Sequence, residues 1–134
     1  MLKLSLRDGE KVVINGAVLR SAGRSEVLVM NEAAILRGRD IMTPETADTP
    51  AKRLYFACMM AYLEPRNLED HQQSILTLLG ELLGALESAE AKALCLSFAH
   101  HVAQLDFYRA LGDCRQLIAY EEEAFARAEQ LSAA

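Results

Sequence analysis

Tryptophan is absent, and Phe and Tyr together supply only 6% of the 134 residues. Three prolines and seven glycines are scattered through the chain, with no low-complexity stretch and no internal repeat. Cysteine is scarce too. Cys58, Cys95 and Cys114 are an odd count separated by long gaps, which suits reduced thiols in a cytoplasmic protein and not a disulfide framework. No Cys-x-x-Cys pair occurs, so a zinc ribbon is excluded. No apolar run approaches the roughly 20 residues needed to span a bilayer. The start, Met1 to Leu6, alternates and lacks the continuous apolar core of a signal peptide, which speaks against secretion and for a cytoplasmic location.

What remains is an ordinary globular mix, 51% hydrophobic and 25% charged, which argues against disorder. The length fits one domain, or two small ones sharing a core. The formal net charge of −5 conceals an asymmetry. Residues 1–53 carry nine Lys/Arg against seven Asp/Glu, whereas residues 54–134 carry five against twelve. All eight Phe and Tyr residues lie in the second, acidic part. The two parts are expected to do different jobs.

The first part has strand periodicity. Leu2, Leu4 and Leu6 alternate with Lys3 and Ser5, the period-2 pattern of a half-buried strand. Asp8-Gly9 marks a turn before Lys11 to Ile14. Asn15-Gly16 supplies the two positive-φ residues of a type I′ turn leading into Ala17 to Arg20. A longer turn at Ser21 to Arg24 precedes a strand over Glu26 to Met30, and Ala33 to Leu36 offers a fifth. Connections this short predict a meander or a small open barrel. Gly38 to Thr49 is polar and turn-rich, which sets expected boundaries at 1–48 for a β-strand unit and 49–134 for a helical bundle.

Helices then dominate. Thr49 can cap a helix with Pro50 at its first position, and Pro65 stops it soon after Leu63. Asn67 is placed to cap a second helix, whose broad apolar stripe over Leu68, Ile75, Leu76, Leu78, Leu79, Leu82, Leu83 and Leu86 predicts burial on more than one side. Ser88 and Asp106 are placed to cap a third and a fourth, and the tail beyond Gln130 is expected to fray. The fold class is therefore α+β: a small N-terminal antiparallel β-unit packed on a C-terminal helical bundle.

Catalytic chemistry finds little support. His100 and His101 are adjacent, so on a helix they point about 100° apart and cannot share a metal in the i, i+4 manner. The cysteines occupy apolar helical positions and read as small core residues. Glu121-Glu122-Glu123 reads as a solvated helix face. No phosphate-cradling glycine loop occurs. No enzyme activity, metal or cofactor is expected. The basic residues of the first part are more informative: Lys11, Arg20, Arg24, Arg37 and Arg39 gather at strand ends and turns. Arginine held at rigid turns makes two-pronged hydrogen bonds to phosphate or guanine edges. With no aromatic residue in this part to stack bases, any RNA contact would rest on arginine, backbone groups and shape.

The run Gly9 to Arg20, with Asn31-Glu32-Ala33, Leu36-Arg37, Asp40 to Pro44, Ala47 to Ala51 and Arg53 to Phe56, closely resembles the FlbT family of flagellum biosynthesis repressors. A weaker pattern continues at Arg109-Ala110-Leu111, Arg115 and Tyr120-Glu121. The resemblance implies post-transcriptional control of flagellin, exerted at the 5′ untranslated region of its messenger RNA, with a small partner, FlaF, acting alongside. Two functional expectations follow. In the favoured one, the protein binds the flagellin mRNA leader through Lys11, Arg20, Arg24, Arg37 and Arg39 and lowers its translation or lifetime. In the rival, it is an adaptor or flagellin chaperone acting with FlaF, its docking surface formed by Tyr55, Phe56, Ile75, Leu79 and Leu83. No membrane partner is expected. Pairing of two copies through an edge strand is compatible with either.

Overall fold

The computed structural model describes residues 1–133, with side chains through Ser132. Five strands come first: β1 (Leu2–Leu6), β2 (Lys11–Ile14), β3 (Ala17–Arg20), β4 (Ser25–Val29) and β5 (Ile35–Arg37). Helices α1 (Pro50–Leu63), α2 (Leu68–Ala85), α3 (Ala89–Ala103) and α4 (Phe107–Ala133) follow, with single 3-10 turns at Gly38–Asp40 and Pro65–Asn67. This is an α+β fold with open antiparallel sheets and no closed barrel. The chain divides into two compact units, residues 1–41 with 63–66, and residues 42–62 with 67–134.

In the first unit the strands do not follow one another across a sheet. β1 pairs with β4, and β2 sits between β3 and β5. The departure from a simple meander has a local cause at Ser21. Its carbonyl accepts the Gly9 N–H at 2.8 Å and its own N–H donates to the Glu10 carbonyl at 2.9 Å. The chain leaving β3 is thereby tied to the 7–10 turn, and the next strand pairs with β1 instead of β3. The β2–β3 hairpin itself forms as its sequence dictates. Asn15 (φ 51°) and Gly16 (φ 85°) occupy the left-handed region that a type I′ turn requires. The Asn15 N–H and Oδ1 also bond the Ala34 carbonyl and N–H, at 2.8 and 2.9 Å, which aligns β5 beside β2. Leu4, Leu6 and Val12 form the core between the sheets, with Ile14, Val29 and Ile35 packed against them.

In the second unit, α3 and α4 form an antiparallel pair around Cys95, Phe98, Leu111, Cys114 and Leu117, all nearly inaccessible to water. Thr49 caps α1 as its position predicts, its Oγ1 accepting the Lys52 N–H. Ser88 and Asp106 cap α3 and α4 through Ala91 and Arg109. Asn67 stands at the N-cap position of α2, but its side chain makes no capping bond, because the 3-10 turn leading into it leaves the backbone at φ −109°, ψ 38°. The stripe on α2 is narrower than expected: Ile75, Leu79 and Leu82 are buried at i, i+4 and i+7, whereas Leu76 is 60% exposed. Helix α4 continues through Ala133, past the fraying expected after Gln130, although the side chains from Phe125 to Ser132 are all exposed. Residue 134 lies outside the described residues.

Candidate nucleic-acid interface

Two glycine turns build the site. Gly9 (φ 77°) lets the chain reverse after β1, and Gly23 (φ 85°) does the same after β3. They are zipped together by the Ser21 backbone bonds and by Asp8, whose Oδ1 accepts the Gly23 N–H at 2.8 Å. Ser21 is buried, and its hydroxyl donates to the Gly23 carbonyl at 2.6 Å and lies 2.8 Å from the Ser25 hydroxyl. Arg7 and Arg24 thus stand on two turns that hold each other.

A third support comes from β5. Arg37 reaches back to donate to Glu10 Oε2 at 2.9 Å and to the Ser5 carbonyl at 3.2 Å. Glu10 Oε1 accepts the Arg7 backbone N–H at 3.0 Å. That backbone bond, followed by the Arg37 guanidinium, holds the Glu10 carboxyl below its ordinary value. Arg39 follows on the 3-10 turn, with its side chain 83% exposed and an ion-pair contact to Asp40 stretched to 4.0 Å.

These pieces surround a groove of about 800 Å³ lined by Ser5, Leu6, Arg7, Asp8, Glu10, Arg24, Arg37 and Arg39. Four guanidinium groups face two carboxylates there. Both carboxylates are spent on bonds within the scaffold, and among the described residues no ion pair engages Arg7 or Arg24. The groove therefore presents free guanidinium donors against a fixed backbone. This is the arrangement that two-pronged recognition of a phosphate or a base edge requires.

Of the five basic residues that the sequence singles out, the groove gathers Arg24, Arg37 and Arg39. Lys11 and Arg20 face one another across the β2–β3 ladder and are not among its lining residues. Arg20 instead borders a smaller, largely apolar cavity of about 290 Å³ near Leu19 and Val27. Arg7, Asp8 and Glu10 were not singled out. Arg7 meets the same criterion as the others, a basic residue at a strand end. The roles of the two acids had no sequence signal, since they depend on which turns meet.

The residues offered as a docking surface are placed differently. Tyr55, Ile75 and Leu79 are buried, and Phe56 and Leu83 are half-buried. Tyr55 lies beneath the Arg115 guanidinium, 5.8 Å from its ring centre. His101 and Ser97 both bond Asp113 Oδ2, at 2.7 and 3.0 Å, across the α3–α4 pair. The serine contacts the acid and not the imidazole, so this network lacks the nucleophile–base contact of a catalytic triad. Among the described residues there is no group of three or more potential metal ligands, and no helix is long and apolar enough to cross a membrane.

Fold and groove together define a class: a small α+β protein that carries an arginine-lined groove on an antiparallel β-unit. Comparison with known proteins makes the assignment particular. The chain belongs to the FlbT family, whose model, for flagellar protein FlbT, matches residues 2–125. It is 42% identical over 123 residues to the probable flagellum biosynthesis repressor protein FlbT of Caulobacter sp. (strain K31), covering 91% of this chain and 94% of the relative. Identity is also 42% to the flagellum biosynthesis repressor protein FlbT of Caulobacter vibrioides (strain ATCC 19089), with 91% and 87% covered. A probable repressor of the same name from Bradyrhizobium diazoefficiens is 36% identical over 124 residues, with 91% and 83% covered. No solved structure matches.

Proposed function

We propose that this protein represses flagellum biosynthesis by binding RNA, taking the 5′ untranslated region of flagellin mRNA into the arginine groove and lowering the translation or lifetime of the message. The repressor role is the one its relatives' names state. The observation that carries RNA binding is the groove, where Arg7 and Arg24 stand on turns whose acids, Glu10 and Asp8, are already bonded inward, and where the Arg39 side chain is largely exposed. Phosphate contacts made this way fix the register of a strand, and base edges near the guanidinium groups supply selectivity. No covalent chemistry is required of the protein, and its place of action is the cytoplasm, where the message is translated. The adaptor reading is weaker, because Tyr55, Ile75 and Leu79 sit in the core of the helical unit.

The direct test is binding of the purified protein to the flagellin leader RNA, with a scrambled leader as control. Preference for the authentic leader is the expected result. Absence of binding, or equal affinity for the scramble, overturns direct RNA recognition.

A further inference from the structure

A groove that attracts a polyanion has little use for carboxylates, yet this one keeps two. On Coulombic grounds alone, neutralising either should raise affinity for RNA. Glu10 is accounted for by its bonds to Arg7 and Arg37. Asp8 is the more telling case, since among the described residues it makes no ion pair with a groove arginine. Its carboxylate instead accepts the backbone N–H of Gly23, fifteen residues away. Gly23 stands at φ +85°, and the residue it hands the chain to is Arg24. The far side of the same turn is held by Ser21, which is buried and bonds both the Gly23 carbonyl and Ser25. Asp8 thus completes a clamp on the turn from which Arg24 enters the groove.

We infer that Asp8 is a positioning residue for phosphate recognition: it gives up favourable groove charge in order to fix the turn that presents Arg24. The inference rests on the groove being the RNA site. It separates geometry from charge, because the two make opposite predictions for one substitution. If only charge matters, Asp8→Ala and Asp8→Asn bind RNA equally well and more tightly than the native protein. If the clamp matters, Asp8→Asn, which keeps an acceptor for Gly23 and sheds the charge, retains at least native affinity, while Asp8→Ala loses it.

The experiment measures affinity for the leader RNA in five proteins: native, Asp8→Ala, Asp8→Asn, Arg24→Ala, and the Asp8→Ala/Arg24→Ala double variant. Asp8→Ala should bind about fivefold more weakly, a loss on the scale of one charge-assisted phosphate contact. In the Arg24→Ala background the same change should cost nothing further, since the residue it positions is gone. Equal affinities for Asp8→Ala and Asp8→Asn overturn the inference. So does an equal loss in both backgrounds, which would mean general damage to the fold. If the native protein fails to bind the leader while remaining folded, the RNA reading of the groove falls, and this inference with it.

Discussion

The three thiols show at the scale of single residues what burial does to chemistry. Burial pushes Cys58 from an ordinary value of 9.0 up to about 12, with the charge on Asp113 adding to the effect. Cys114 is raised well above its ordinary value and Cys95 is raised as well, in both cases mainly by burial. The Cys58 and Cys114 hydrogens point inward, at the carbonyls of Phe107 and Ala51. A thiolate is the reactive form, so in the folded protein at pH 8 Cys58 should alkylate about a thousandfold more slowly than an ordinary thiol. Unfolding should release all three to the reagent. A folded-state value above the unfolded one means that the neutral thiols stabilise the fold fully below pH 9, and that this contribution fades as pH rises toward 12. Iodoacetamide labelling followed by mass measurement checks the first point, and urea unfolding at pH 8 and pH 10.5 the second. Rapid labelling of Cys58 in the native state would contradict the buried placement. The cysteines were legible in the sequence as core residues because they fall on the apolar faces of their helices.

Helix starts were legible for the same local reason: Thr49, Ser88 and Asp106 act within three residues of where they sit. Glu121 was not. Within Glu121-Glu122-Glu123 it reads as one of three equivalent solvated acids, yet it is half-buried, and its Oε2 accepts the Ala51 N–H of α1 at 3.0 Å from seventy residues away. Pro50 has no N–H to offer, so Ala51 is the first donor of the helix, and a carboxylate there meets both a free N–H and the positive end of the dipole. No periodicity encodes such a contact, which follows only from the packing of α4 on α1. The same limit hid the β1–β4 pairing and the clamp by Asp8. Glu121→Ala should therefore cost about 1–2 kcal/mol of unfolding free energy, the range for a charge-assisted bond at a partly buried helix end. Glu122→Ala, on the exposed side, should stay within about 0.5 kcal/mol of native. Paired denaturant titrations decide it, and equal small effects would restore the solvated-face reading.

Across the whole molecule the electrostatics run against an RNA-binding protein: net charge is −5 and the isoelectric point about 5.2. At neutral pH the long-range field repels a polyanion, and only the β-unit offers a local surplus of arginine. The RNA binding proposed above then rests on a few short-range phosphate contacts, which makes their number countable. Single-stranded binding changes the slope of log affinity against log salt by about −0.7 for each phosphate neutralised, so the three guanidinium groups not tied into the scaffold, those of Arg7, Arg24 and Arg39, predict a slope near −2. Arg7→Ala, Arg24→Ala and Arg39→Ala should each flatten that slope by about 0.7 while leaving the unfolding midpoint in place. Arg37→Ala should behave differently, because Arg37 is tied to Glu10 and to the Ser5 carbonyl and its loss loosens the junction of β5 with the 7–10 turn. It should lower thermal stability along with affinity. Lys11→Ala and Arg20→Ala stand opposite one another on the β2–β3 ladder, away from the groove lining, and should leave the slope unchanged. A slope that moved with Lys11 and Arg20 but not with Arg7, Arg24 and Arg39 would transfer the site from the groove to that ladder.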